Sequence, residues 1–141
     1  MAKVEQTVTM NAPAARVMEV ISGYEHYPEF LPEIRRVEVQ SREGGICVVL
    51  FEVQLIMRVA YTLRLAQKGA TYLEWELVDS KLMKINSGHW NLESIDESST
   101  LVTYGLELEL AGKLPSSVNR RMAAEALPET LDRFKGRAEN T

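Results

Sequence analysis

A chain of 141 residues is about the size of one domain, and its 45% hydrophobic and 26% charged content is that of an ordinary globular protein. The formal net charge of -4 argues against a general nucleic-acid binder, which needs a basic face, so DNA is not an expected partner. Cys47 is the only cysteine; it excludes an internal disulfide, and with only His26 and His89 beside it neither a metal site nor a cofactor is expected.

The opening Met1–Pro13 lacks the apolar core of a signal peptide, and no stretch approaches the length of a membrane span, so the sequence reads as cytoplasmic. No linker-like segment divides it, and 1–141 reads as a single domain.

Val4, Val8 and Met10 alternate with polar residues, which predicts a first strand. Asn11 is placed to cap a helix with Pro13 in its first turn, Val17, Met18, Val20 and Ile21 as its buried face, and Gly23 as its end. The run Tyr24-Glu25-His26-Tyr27-Pro28-Glu29-Phe30-Leu31-Pro32 holds two prolines. It predicts a short helical turn and a rigid bend rather than a long helix.

From Ile34 to Leu110 the period is two, with breaks at Gly44-Gly45, Lys68-Gly69 and Asp96–Ser99. Successive strands with short loops and no intervening helix mean an antiparallel meander. The stretch Ile46–Ala66 contains neither Gly nor Pro, yet as one strand it would extend roughly 70 Å, far beyond a domain whose radius of gyration is about 14 Å. It must fold back. Cys47, Val49, Phe51 and Val53 are odd-numbered, as are Val59, Tyr61, Leu63 and Leu65. Antiparallel partners have a constant sum, so an odd-length loop at Leu55-Ile56-Met57 places Val53 opposite Val59 and Phe51 opposite Tyr61. The same arithmetic centred on Gly69 pairs Leu63 with Trp75 and Arg64 with Glu74. In the last two strands the apolar rows are even: Trp90 and Leu92, then Val102, Tyr104, Leu106, Leu108 and Leu110. One apolar concave face and one charged outer face are expected.

After Gly112 the period returns to 3.6. Pro115 and Ser116 open a helix with Val118, Met122, Leu127, Leu131 and Phe134 on one stripe, and Pro128 should kink or interrupt it. The concave face is the surface on which that stripe can lie.

This order of elements resembles the START-like, or helix-grip (SRPBCC), superfamily. Tyr24–Pro32 is similar to the "Y-x-x-Y-P-x-F-L-P" stretch of its coenzyme Q-binding and polyketide cyclase/dehydrase-like branch; Tyr61-Thr62-Leu63-Arg64 and Gly88-His89-Trp90-Asn91-Leu92 resemble two further segments. The resemblance implies an α+β fold with a seven-stranded curved antiparallel sheet wrapped around a long C-terminal helix, and two short helices after strand 1. It also implies a cavity between sheet and helix that holds a hydrophobic small molecule such as a lipid or isoprenoid quinone.

On that footing the candidate binding residues are Tyr27, Phe30, Phe51, Val53, Tyr61 and Leu63. To these are added Trp75, Asn86, Trp90, Tyr104 and Leu106 from the later strands, and Met122, Leu127 and Leu131 from the helix. The same side chains would equally serve as an ordinary core. Tyr61, Tyr104 and Asn86 are distinctive because each turns a polar group inward. Leu55, Ile56 and Met57 form an apolar tip with two readings: a cavity lip that touches membrane transiently, or a surface covered by a neighbouring helix or by a second subunit in a homodimer. His89 falls on the outer face and Cys47 inward, where it is expected to be inert. No catalytic residue set is carried by the resemblance. The enzyme alternative is a polyketide aromatase/cyclase or dehydratase, with Tyr61, Tyr104 and Asn86 orienting a polyketone. A third reading is a ribosome-associated regulator similar to the ribosome-association toxins of this branch, which the acidic composition does not favour.

Overall fold

Period-two alternation in the sequence becomes seven strands: β1 (Ala2–Met10), β2 (Ile34–Glu43), β3 (Ile46–Gln54), β4 (Arg58–Lys68), β5 (Tyr72–Ser80), β6 (Met83–Asp96) and β7 (Ser99–Leu110). They form one sheet in the order β1-β7-β6-β5-β4-β3-β2, with every neighbouring pair antiparallel. The computed structural model describes residues 2–54, 58–111 and 130–140. Between β1 and β2 lie helix α1 (Ala14–Ser22) and a 3-10 helix (Tyr24–Glu29), the two short helices expected. A C-terminal helix, α2, is described over 130–139. This is the helix-grip arrangement.

Local chemistry explains most of the boundaries. Gly44 and Gly45, both with positive φ, turn β2 into β3, and Gly69 (φ 70) opens the turn into β5. At the other end of the molecule the buried Thr100 hydroxyl donates to the Ala12 carbonyl at 2.8 Å, tying the exit of β1 to β7 before α1 begins. Val17, Met18, Val20 and Ile21 are buried as the sequence pattern predicts, and Gly23 caps the C-terminus of α1. The N-terminal cap differs from expectation. Pro13, with extended backbone (φ -61, ψ 150), occupies the cap and makes no side-chain cap bond. Its carbonyl receives the amides of Arg16 and Val17. Asn11 stands two residues before the cap, and its backbone amide donates to Glu139 of α2 at 2.7 Å.

The parity argument survives in the register. Val53 pairs with Val59 and Phe51 with Tyr61, while Trp90 pairs with Tyr104 and Leu92 with Val102. The β4–β5 register is a correction: Leu63 faces Leu77, Leu65 faces Trp75 and Arg64 faces Glu76. Gly69 begins the turn instead of centring it, so Lys68 pairs with Tyr72 and the whole register moves by two. A shift of two leaves each side chain on its face, which is why the inward set is unaffected. A further irregularity, between Thr62 and Leu63, has no signature in the alternation. It leaves Val78 as an extra residue, 55% exposed.

The core runs under the concave face. Val49, Leu73 and Val102 have no exposed surface, and α2 contributes Leu131, Phe134 and Ala138 to the same cluster. Each such side chain stabilises the fold by about 1.5–3 kcal/mol through removal of apolar surface from water. Four residues, Val59, Met83, Leu108 and Leu110, form a smaller cluster at the end of the sheet where β4 begins and β7 ends. The expectations for Leu55–Met57, Pro115, Ser116, Val118, Met122, Leu127 and Pro128 fall outside the described residues.

Candidate functional site

Seven aromatic residues singled out from the sequence, together with Phe134, meet on the concave side. Tyr61 on β4 stacks on Phe51 of β3 (centroids 5.5 Å apart, 26° between planes), and Phe51 lies 6.0 Å from Tyr27 in the 3-10 helix. At the far side Trp75 of β5 and Trp90 of β6 flank Tyr104 of β7, at 5.6 and 4.4 Å. Phe134 of α2 joins the two halves, with edge-on contacts to Tyr27, Phe30 and Trp90 at 5.3, 5.1 and 4.9 Å. The rings therefore form a continuous arc from Tyr61 to Trp75. Such edge and offset contacts add about 0.5–1.5 kcal/mol each beyond area burial, which makes the arc a rigid wall. The sequence stripe includes Phe134 but gives no sign that it would be the junction.

Among the candidate residues, Phe51, Val53, Leu63, Trp75, Trp90, Tyr27 and Leu131 are buried. Phe30, Tyr61, Tyr104 and Leu106 are half-buried and pack against the core, as are Val37, Val39 and Leu77, which the sequence pattern does not single out. The odd parity of Leu77 beside Trp75 is the signal that could have found it. Val37 and Val39 alternate correctly on β2, but the many charges of that edge strand obscure them. Met122 and Leu127 lie outside the described residues.

The inward polar groups separate into two kinds. Tyr27 donates its hydroxyl to the Ile21 carbonyl. Asn86 receives the Trp75 indole N–H at 3.0 Å on its side-chain oxygen, and its amide nitrogen lies 3.6 Å from the Met83 sulfur. These are structural assignments. The β5–β6 ladder is confined to Tyr72–Trp75 and Gly88–Asn91, and the Trp75–Asn86 bond bridges the strands just past its end. Tyr61 and Tyr104 are the second kind. Both side chains are half-buried, and neither hydroxyl has a hydrogen-bond partner among the described residues. Burial holds each pKa far above the usual phenol value, and for Tyr61 the neighbouring Tyr104 phenol and then the Glu33 carboxylate push it the same way. Tyr27 is raised by burial and then by Tyr24, Tyr104 and Tyr61. All three phenols are therefore neutral O–H groups at ordinary pH.

A polar clasp joins α2 to the 3-10 helix. Arg137 of α2 reaches Glu29 at 2.5 Å while its guanidinium lies over the Phe30 ring, 5.3 Å from the centroid. Glu29 also meets His26 at 2.7 Å, and these two partners, His26 first, lower its pKa. Arg16 of α1 donates to the Arg137 carbonyl at 3.1 Å.

A groove of about 610 Å³ lies on the opposite, outer face, lined by Lys3, Arg64, Glu76, His89 and Glu107 among others. His89 is outward, as expected. It stacks at 6.0 Å on Tyr72, and its Nε2 is 3.6 Å from Glu5. Ion pairs of this exposed kind are worth at most about 1 kcal/mol. Cys47 is buried. Among the described residues no cluster of three or more His, Cys, Asp or Glu could hold a metal ion, and no helix is long and apolar enough to cross a membrane.

Comparison with known proteins agrees with this architecture. Residues 10–135 match the family described as polyketide cyclase/dehydrase and lipid transport. A START superfamily protein from Mycobacterium smegmatis superposes with a TM-score of 0.89 at 20% identity, covering 99% of this chain and 98% of that one. The ZhuI aromatase/cyclase from Streptomyces sp. R1128 gives 0.86 at 23% identity, with 97% and 93% covered. A protein from Thermus thermophilus gives 0.81 at 18%, with 97% and 94% covered. No curated protein matches the chain. At these identities the solved structures speak for the fold, and the family match spans most of the sequence. The chain belongs to the polyketide cyclase/dehydrase and lipid transport family.

Proposed function

We propose that the chain binds or carries a hydrophobic small molecule, a lipid or isoprenoid quinone-like compound, between the concave sheet face and the C-terminal helix. The observation that carries this reading is the state of Tyr61 and Tyr104. Both lie in the aromatic arc of the concave face and yet are only half-buried, and neither hydroxyl has a hydrogen-bond partner among the described residues. The half-buried Leu77, Leu106, Val37 and Val39 beside them supply an apolar lining. Binding would draw on apolar area removed from water, about 25 cal/mol per Å², with the aromatic arc holding the wall in place. Native mass spectrometry of the purified chain, followed by organic extraction, tests the reading. A co-purified apolar compound is the expected result. Absence of any such compound, together with no uptake of an apolar fluorescent probe, would sink it.

The likeness to an aromatase/cyclase favours a second reading, in which Tyr61 and Tyr104 donate hydrogen bonds to the carbonyls of a folded polyketone. Appearance of an aromatic chromophore on incubation with a poly-β-ketone substrate, lost in Tyr61→Phe, is the outcome that reading requires.

A further inference from the structure

The sheet has two edges, and they are protected unequally. β1 and β2 end the strand order, so among the described residues each turns one row of backbone N–H and C=O groups to no neighbouring strand. β2 carries the features that keep such an edge from pairing with another chain. Register shifts break its line between Ile34 and Arg36 and again between Val39 and Ser41. Arg35, Arg36, Glu38, Arg42 and Glu43 are all exposed along it. β1 has little of this. Its nine residues follow β7 in one unbroken register, from Ala2 opposite Leu108 to Met10 opposite Thr100. It contains neither proline nor glycine, and Lys3 and Glu5 are its only charged side chains. Lys3, Glu5, Gln6, Thr7 and Thr9 are exposed, and Val4 and Val8 are half-buried. A long, unbroken edge with few charges is a template for one more strand.

The residues of β1 point to the occupant. Two copies of one strand that pair antiparallel about a two-fold axis must be centred on a residue, because only then does each apolar row stay on its own face. Centring on Glu5 sets that carboxylate against itself. Centring on Val4 joins only Ala2–Gln6, and centring on Thr7 sets Val8 against Gln6. Centring on Gln6 joins the whole strand. Val4 then faces Val8, Glu5 faces Thr7 and Lys3 faces Thr9, so no like charges stand directly opposite and the half-buried valines cover one another. We propose that the β1 edge is a self-association surface. A second copy of this chain adds its β1 antiparallel to the first, centred on Gln6, and the two sheets become one with both concave faces on the same side. Backbone hydrogen bonds supply the affinity, and the side-chain pairs fix the register.

Sedimentation velocity of the full chain over a wide range of concentration tests this, and a reversible monomer–dimer equilibrium is the expected result. Thr7→Glu sets a new carboxylate against Glu5 of the second copy, twice in each dimer. It should weaken the dimer about twofold to thirtyfold, the range of two cross-strand pairs. Adding Glu5→Lys to the same chain makes both contacts attractive and should restore the dimer. Thr9→Lys, which opposes Lys3 of the second copy, should weaken it by a similar factor. Arg42→Glu on the β2 edge should leave the equilibrium unchanged. All of these positions are exposed, and far-ultraviolet circular dichroism of the dilute protein checks that each variant is folded. A chain that stays monomeric at every concentration overturns the proposal. So does a dimer indifferent to Thr7→Glu and Thr9→Lys, one weakened as much by Arg42→Glu, or one that Glu5→Lys fails to restore.

Discussion

Trp75 lies across the bare backbone of Gly88, so close that a Cβ built on that glycine would be 2.4 Å from the indole Cζ2 and 2.2 Å from the Gly105 carbonyl oxygen. The two residues pair directly across β5 and β6. Gly88 supplies the room that lets the indole reach along the strand to Asn86. Gly105 is a useful contrast: the nearest atoms to a Cβ there all belong to the His89 ring, the closest at 2.4 Å, and that ring is a side chain on the partly exposed outer face. Gly88→Ala should therefore destabilise the fold by several times as much as Gly105→Ala, whose cost should stay near about 1–3 kcal/mol. Urea midpoints of the two variants decide this, and equal losses would contradict the packing described.

Asn86→Ala leaves the Trp75 N–H buried with no acceptor. The expected cost is about 1–3 kcal/mol. One of the two indole N–H resonances should move upfield in the proton spectrum as its hydrogen bond is lost, while the Trp90 resonance stays in place.

Phe134→Ala removes the ring that joins Tyr27 and Phe30 to Trp90. A loss of about 3–5 kcal/mol is expected from the cavity and the lost contacts, with collapse of much of the near-ultraviolet circular dichroism. A loss under about 1 kcal/mol would mean that α2 does not seal the arc.

Alkaline stability follows from the raised phenols. Tyr27, Tyr61 and Tyr104 have folded pKa values above the 10.0 of the unfolded chain. Each therefore contributes fully below that pH, and the contribution is lost as pH rises through the folded value. Each adds a slope of up to about 1.4 kcal/mol per pH unit. The charges acting on them are Tyr104 and then Glu33 at Tyr61, and Tyr24, Tyr104 and Tyr61 at Tyr27. The urea midpoint should hold steady up to about pH 9.5 and then fall, and the double variant Tyr61→Phe/Tyr104→Phe should fall less steeply. Identical slopes would mean that these phenols ionise as freely as exposed ones.

Much of this molecule was legible in the order and parity of its residues. The facing of Phe51 and Tyr61, the shared face of Trp90 and Tyr104, and the inward aim of Tyr61 and Tyr104 followed from period-two alternation and constant-sum pairing. Alternation is a property of the pleat itself, so it survives even where a turn is misplaced. The β4–β5 offset at Gly69 moved partners by two and left every face intact.

What only the tertiary structure decided is which inward groups are occupied. From the sequence Asn86, Tyr61 and Tyr104 are three equivalent inward polar side chains, and Tyr27 is one more candidate in the aromatic-proline stretch. Folding consumes Asn86 through Trp75, a diagonal contact made across Gly88, and Tyr27 through the Ile21 carbonyl just before the bend. Phe134 becomes the junction of the arc because the sheet's curvature and the seat of α2 bring rings from the 3-10 helix, the bend after it and β6 to one place. Face is set locally by the backbone period. Partnership depends on curvature, bulges and helix placement, which emerge only when the whole sheet closes.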